Sequence, residues 1–196
     1  LVEQRPEEGT GEELYRQIQA EKQRLIKDGK IKKEKPLPEI AEDEIPFDIP
    51  GNWKWVRLSN IAESIMDCPH STPKWEKNGK LCLRTTNFKR GYLDLQSPNY
   101  VSEETFNDRN RRIIPQPGDV LYSREGSVLG IACTIPSNVY PCLGQRMMLL
   151  RSGKKLNNRY LMHYFSVFLV LADESESTLK FESFEPSKIK KRYVTY

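Results

Sequence analysis

Trp53-Lys54-Trp55-Val56-Arg57-Leu58 marks the point where the character of the chain changes. Its alternation places Trp53 and Trp55 on one face and Lys54 on the other, the period-two pattern of a half-buried strand. Downstream, further strands are expected at residues 81–86, 92–95, 119–123, 129–135 and 146–151. Between them stand Asn78-Gly79, Arg90-Gly91, Pro115 to Gly118, Gly126 and Pro136 to Asn138, residue types that set turns through fixed or positive φ and local hydrogen bonding. At residues 157–172 the period changes. Tyr160, Leu161, Tyr164, Phe165, Phe168, Leu169 and Ala172 recur at steps of three and four, which predicts a late helix whose broad apolar face packs on the sheet. Residues 173–178 read as a loop and Ile189 to Val194 as a last strand. The fold class expected for residues 51–196 is α/β of the α+β kind, a strand-rich domain with one packed late helix.

Upstream of Trp53 the composition differs. Thr10-Gly11-Glu12-Glu13 has the form of a capping box, and Gly29 is a natural left-handed stop, so residues 11–28 are expected to be a separate leading helix. Leu14, Ile18 and Leu25 share a seam, but Glu21 interrupts it. A stripe this thin must lie against the body or against a partner. Residues 29–50 combine the run Lys30 to Lys35 with Pro36, Pro38, Pro46, Pro50 and acidic Glu42 to Glu44, which predicts an extended linker over the surface.

Nine Tyr, seven Phe and three Trp in 196 residues, with 37% hydrophobic content, exclude global disorder, and the mean hydropathy of -0.67 predicts a well-solvated surface. Residues 1–50 hold nine Lys/Arg against thirteen Asp/Glu, whereas the rest hold 22 against 14. A basic body behind an acidic leader suits a polyanionic partner. Cys68, Cys82, Cys133 and Cys142 form no C-x-x-C pair, and Cys68 with His70 supplies only half a metal site, so reduced thiols and no bound metal are expected. No run approaches the length of a membrane span and Leu1 opens no signal-like stretch, which predicts a cytoplasmic protein. The lack of an initiator Met suggests a piece of something longer.

The passage from Glu13 to Pro38, continued by Ile45-Pro46-Phe47-Asp48-Ile49-Pro50-Gly51-Asn52-Trp53 to Leu58, closely resembles the specificity subunits of type I restriction-modification systems. His70-Ser71-Thr72-Pro73, Pro117 to Gly126 and Ser177-Thr178-Leu179-Lys180-Phe181 continue the resemblance along essentially the whole chain. Similar domains commonly carry Gly immediately before that last Ser-Thr, where this chain has Glu176. The resemblance implies one target-recognition domain, the amino-terminal one, reading half of a split site in double-stranded DNA. The implied partners are methyltransferase and restriction subunits, and the domain itself needs no cofactor.

A reader of duplex DNA needs cations for phosphates and planar hydrogen-bonding groups for base edges. Residues 84–90 offer Arg84, Thr85 and Asn87 for bases and Lys89 and Arg90 for phosphates; the alternative is a strand followed by a polar turn. Arg109, Asn110, Arg111 and Arg112 form a dense cluster in which Asn110 suits adenine and the arginine forks suit phosphate or guanine, although solvated loops also look like this. Ser123, Arg124 and Glu125 end an apolar strand before Gly126; Glu125 either accepts from cytosine N4 or pairs with Arg124. His70, Ser71, Thr72 and Lys74 form a polar loop within reach of the DNA backbone. Gln145 and Arg146 suit base edges, or Gln145 caps a neighbouring turn. Trp75 and Phe88 either stack on bases or belong to the core. Arg124 and Asn87 are expected to touch bases, Arg111 and Lys89 phosphates.

Two strings imitate catalytic motifs. Ser97-Pro98-Asn99-Tyr100 is similar to the signature of amino-methyltransferases, but Asn99 breaks it and no glycine-rich turn for S-adenosylmethionine accompanies it. Asp119 with Glu125 looks like part of a nuclease site that lacks its lysine. No catalytic activity is expected. The rival readings are a protein-interaction module and an RNA-binding domain.

Overall fold

A computed structural model describes residue 7 and residues 9–45, 47–125, 129–174 and 193–195, with side chains described as far as residue 166. Gly126, the loop at 175–178, Ser177 to Phe181 and residues 189–192 lie outside the described residues.

Helix α1 (Gly11–Lys27) begins as its capping box requires. The Glu13 amide donates to Thr10 Oγ1 at 3.2 Å, and the Thr10 amide donates to Glu13 Oε2 at 2.9 Å. It ends where Gly29 takes φ 68° and the Lys30 amide closes onto the Leu25 carbonyl. Ile18 and Leu25 are buried, and Ile18 joins the main core, so the thin seam lies against the body. Lys22 Nζ donates to the carbonyls of Ser59 and Ala62, and Gln19 Nε2 to that of Asn60. These bonds satisfy carbonyls at the end of the one-turn helix α2 (Leu58–Ile61), which have no partner within it.

Arg57 is a main anchor of the linker. Arg57, nearly fully buried on β1 (Trp55–Arg57), donates to the carbonyls of Pro38 and Glu39 and grips the Glu44 carboxylate at 2.8 and 3.1 Å. A 3-10 turn at Glu42–Glu44 places that carboxylate.

The centre is a four-stranded antiparallel sheet in the order β2 (Ser64–Asp67), β10 (Met147–Arg151), β7 (Val120–Ser123), β8 (Ala132–Thr134). Both faces are covered. Val120, Tyr122, Met148 and Leu150 point to one side, with Leu161 and Phe165 of α4 (Asn158–Glu174), Ile18 and Leu58. Leu121, Met147 and Leu149 point to the other, with Leu83, Phe88, Leu93 and Leu143. This double burial explains why β7 and β10 read as unbroken apolar runs and not as alternating strands. A side chain so buried contributes about 1.5–3 kcal/mol, so the central pair holds the two faces together.

Beside it lies a three-stranded sheet, β6 (Tyr100–Val101), β3 (Lys80–Leu83), β9 (Cys142–Leu143), in which β3 and β9 run parallel with Cys82 opposite Cys142. Helix α3 (Glu103–Arg109), capped by the Ser102 hydroxyl, packs on β3 and β9. The hairpin β4 (Phe88–Lys89) and β5 (Tyr92–Leu93) is fixed to β8 by the Gly91 amide on the Ala132 carbonyl. Finally β1 pairs with β11 (Tyr193–Thr195), Val56 facing Val194.

Several sequence expectations need correction. The strand foreseen at 81–86 stops at Leu83 and becomes a 3-10 turn at Thr85–Asn87, because Asn87 Oδ1 accepts from the Arg84 amide. Residues 173 and 174, read as loop, continue α4. β2, β6, β9 and α3 were not foreseen. Among the described residues no helix is long and apolar enough to cross a membrane.

Candidate nucleic-acid interface

The antiparallel register places Asp67 opposite Met148 and Ser123 opposite Met147, so β2 and β7 end where β10 begins. β3 and β9 end together at Leu83 and Leu143. The loops after these strands converge. Three of them line a polar cleft of about 80 Å³ with Thr72 and Trp75, Arg84 and Thr85, and Gln145 and Arg146. Five of the six are residues expected from sequence to face DNA; Trp75, weighed between stacking and core, is the sixth. The Arg84 guanidinium lies 5.3 Å from the centre of the Trp75 ring, a cation-π contact that steadies both groups. Thr72 Oγ1 donates to Gln145 Oε1 at 3.0 Å, joining two loops across the cleft. Arg146 is exposed, and its backbone has φ 67°, left-handed and unusual for a side-chain-bearing residue. Such strain persists only where the surroundings impose it, and here the Arg124 amide holds the Arg146 carbonyl at 3.1 Å.

The cleft is held open by buried polar groups behind it. Arg109, at the end of α3, donates through Nη1 to the carbonyls of Leu143 and Gly144 and through Nη2 to that of Ser71 at 2.6 Å. One guanidinium thus ties the loop carrying Thr72 to the loop carrying Gln145. Gly144 must remain glycine: a Cβ there would sit 2.5 Å from the Leu83 carbonyl oxygen, which its own amide already reaches at 2.9 Å.

Arg124 is also internal. Its Nε donates to Asp67 Oδ1 at 2.8 Å, its Nη2 lies 3.2 Å from Glu125 Oε1, and Nη2 donates to His70 Nδ1 at 3.1 Å. His70 Nε2 faces Asp67 Oδ2 at 2.9 Å, so a neutral ring protonated at Nε2 satisfies both contacts. Asn87 commits its oxygen to the Arg84 amide and its nitrogen to the Asp94 carbonyl. Ser123 is buried and bonded to Ile131 through both its hydroxyl and its backbone. Asn110 is buried as well, and neither atom of its side-chain amide has a hydrogen-bond partner among the described residues.

The remaining sequence candidates lie on surrounding surface. Lys74, Arg90, Arg111 and Arg112 are exposed and Lys89 half-buried; Arg111 pairs with Asp108 at 2.6 Å, both well solvated. None of these lines the cleft. Asp119 is buried in a two-pronged pair with Arg151 at 2.7 and 2.8 Å, and Oδ2 also accepts from the Gln116 amide. Arg151 carries a third bond, to the Ile114 carbonyl, and the carboxylate beside it raises its pKa further. Asp119 is therefore a structural anchor. Sequence reasoning missed Asp67 and the bracing roles of Arg57, Arg109 and Gly144.

Fold and cleft together describe a mixed α/β domain with a polar cleft at the ends of its strands. The architecture is shared with a chain from a structure addressing complex assembly and conformational transition of the type I R-M system (TM-score 0.55, 20% identity, 94% of this chain and 42% of that one). It is shared also with the HsdS subunit from Thermoanaerobacter tengcongensis (TM-score 0.53, 20% identity, 94% and 41%). In sequence the chain is 30% identical over 146 residues to the EcoAI specificity subunit of Escherichia coli, covering 73% of this chain and 25% of that protein. It is 34% identical over 148 residues to the EcoEI specificity subunit of the same organism, covering 69% and 23%. No protein-family model matches. The chain is similar in sequence to type I restriction enzyme specificity subunits and spans about a quarter of the length of the curated relatives it matches.

Proposed function

We propose that this chain reads one half of a bipartite double-stranded DNA site for a type I restriction-modification complex. Residues 1–50 serve as leading helix and linker, and residues 51–196 as the target-recognition domain. The observation that carries this reading is the cleft itself, where Thr72, Arg84, Thr85, Gln145 and Arg146 converge on Trp75 from three separate loops. These side chains meet base edges. Lys74, Lys89, Arg90, Arg111 and Arg112 around them neutralise phosphates, in keeping with the excess of 22 Lys/Arg over 14 Asp/Glu beyond residue 50. Arg109, Asn87, Ser123 and Arg124, bonded internally in the free chain, set the loop shapes, and Ser71, His70, Asn110 and Glu125 form the rim and its support. The domain works in the cytoplasm, has no catalytic activity of its own and directs methyltransferase and restriction subunits to the site.

The test is titration of duplex DNA over a range of salt concentrations, combined with selection from a random duplex library. One enriched half-site is expected, together with affinity that falls linearly on a log-log salt plot. Arg111→Ala and Lys89→Ala should each lower that slope by about one while leaving the selected sequence unchanged. Salt-independent binding, or a library that never enriches, would point instead to a protein-interaction module. Preference for RNA of the same sequence would favour the RNA-binding alternative.

A further inference from the structure

The cleft has a polarity that a generic DNA contact does not require. Among its six lining residues none carries a negative charge, and two are arginines. Gln145, whose amide offers both a donor and an acceptor, is turned by its neighbour. Because Thr72 Oγ1 donates to Gln145 Oε1 at 3.0 Å, the carbonyl side is engaged within the protein, and among the described residues the NH2 has no hydrogen-bond partner and is available to donate. Arg146 follows directly, exposed and held in a left-handed conformation, and adds a second set of donors from the same loop.

Resting on the DNA-reading role proposed above, we infer that the Thr72–Gln145–Arg146 group is a specificity determinant for guanine in the major groove. Guanine presents two adjacent acceptors there, O6 and N7, and no donor. Adenine presents N7 beside the N6 amine. It needs a Gln side chain that can accept and donate in one plane, and Thr72 competes for that acceptor. A phosphate also offers only acceptors, and the two sources differ in consequence: a phosphate contact gives affinity without base preference. The neutral amide of Gln145, oriented by a hydroxyl from another loop, fits a directional base contact better than charge neutralisation, for which a lysine would serve.

Selection from a random duplex library with the whole chain tests this, using wild type, Gln145→Glu, Gln145→Met and Thr72→Val, with thermal unfolding to confirm that each variant is folded. Wild type should enrich guanine at one position of the half-site. Replacing that base by 7-deazaguanine, which lacks the N7 acceptor, should weaken binding severalfold. Gln145→Glu replaces the donor by an acceptor, so the guanine preference should give way to cytosine, whose N4 amine donates. Gln145→Met should lose discrimination at that position by about 5- to 150-fold, the range for one good side-chain-to-base pair. Thr72→Val frees the amide and should admit adenine. A motif without guanine, or one whose bases are the same in wild type and Gln145→Glu, overturns the assignment while the DNA-reading role stands. If no motif is enriched, both fall.

Discussion

Arg109→Met separates a buried brace from a DNA contact. In the folded chain the Arg109 guanidinium is the donor for three carbonyls, those of Leu143 and Gly144, both buried residues, and that of Ser71, which is exposed. Methionine fills similar volume but donates nothing. Water replaces the lost bond at Ser71, whereas each of the two buried carbonyls is left unsatisfied at about 1–3 kcal/mol. Removing a charge from the interior offsets part of this, leaving a net loss of about 3 kcal/mol. For a chain of this size that lowers Tm by about 6–12 °C. The assay is urea and thermal denaturation of the variant, followed by a duplex titration against salt. Arg109→Met should lose stability and weaken sequence discrimination, because Thr72 and Gln145 are no longer held together, yet keep the slope of affinity against salt. An unchanged Tm with a slope reduced by about one would show that Arg109 neutralises a phosphate, and would refute the reasoning.

Asp119→Asn should destabilise the fold by about 3–5 kcal/mol, since it leaves the Arg151 guanidinium without its counter-charge; denaturant midpoints measure this, and a near-neutral result would show that water replaces the carboxylate. Burial pushes the Cys68 thiol from near 9 up to about 11, so the native state keeps a proton that the unfolded chain releases. The contribution is fully present below the lower value and is lost as pH rises through the upper one, by roughly 2–3 kcal/mol. Urea denaturation at successive pH values, wild type against Cys68→Ala, should show the difference between the two proteins changing over that interval. Gly144→Ala should cost about 1–3 kcal/mol by forcing a Cβ against the Leu83 carbonyl, and should blur the selected half-site because Gln145 and Arg146 shift with it.

What was legible in the sequence is what neighbours along the chain decide. The capping box at Thr10 and the stop at Gly29 bound α1, and the apolar runs at Val120 to Tyr122 and Met147 to Leu150 identify strands because burial on both faces demands them. Arg90-Gly91 turns the hairpin β4–β5 as expected. β2, with Ser64-Ile65-Met66-Asp67, is too short and mixed to stand out, and β9 exists only because Leu143 finds Leu83 sixty positions earlier. The cleft was legible as composition but not as geometry. Arg109, Arg111 and Arg112 look alike in a string. The phase of α3 turns Arg109 inward onto carbonyls more than thirty positions away and leaves the other two in water. Nothing local reveals which member of such a cluster has a partner waiting inside the fold.

The pairing of β1 with β11 bears on how the chain folds. Val56 pairs with Val194 across nearly the whole length of the body, so this ladder closes the largest loop among the described strand pairings. Closing it costs entropy that grows with the logarithm of the intervening length. The parallel meeting of β3 and β9 has the same non-local character. Assembly should therefore run from the central β7–β10 pair outward, at the slow end of the range for chains rich in distant contacts. The β1–β11 seam should close late and open early, and its amide hydrogens should exchange faster than those of the β7–β10 pair when the body loosens.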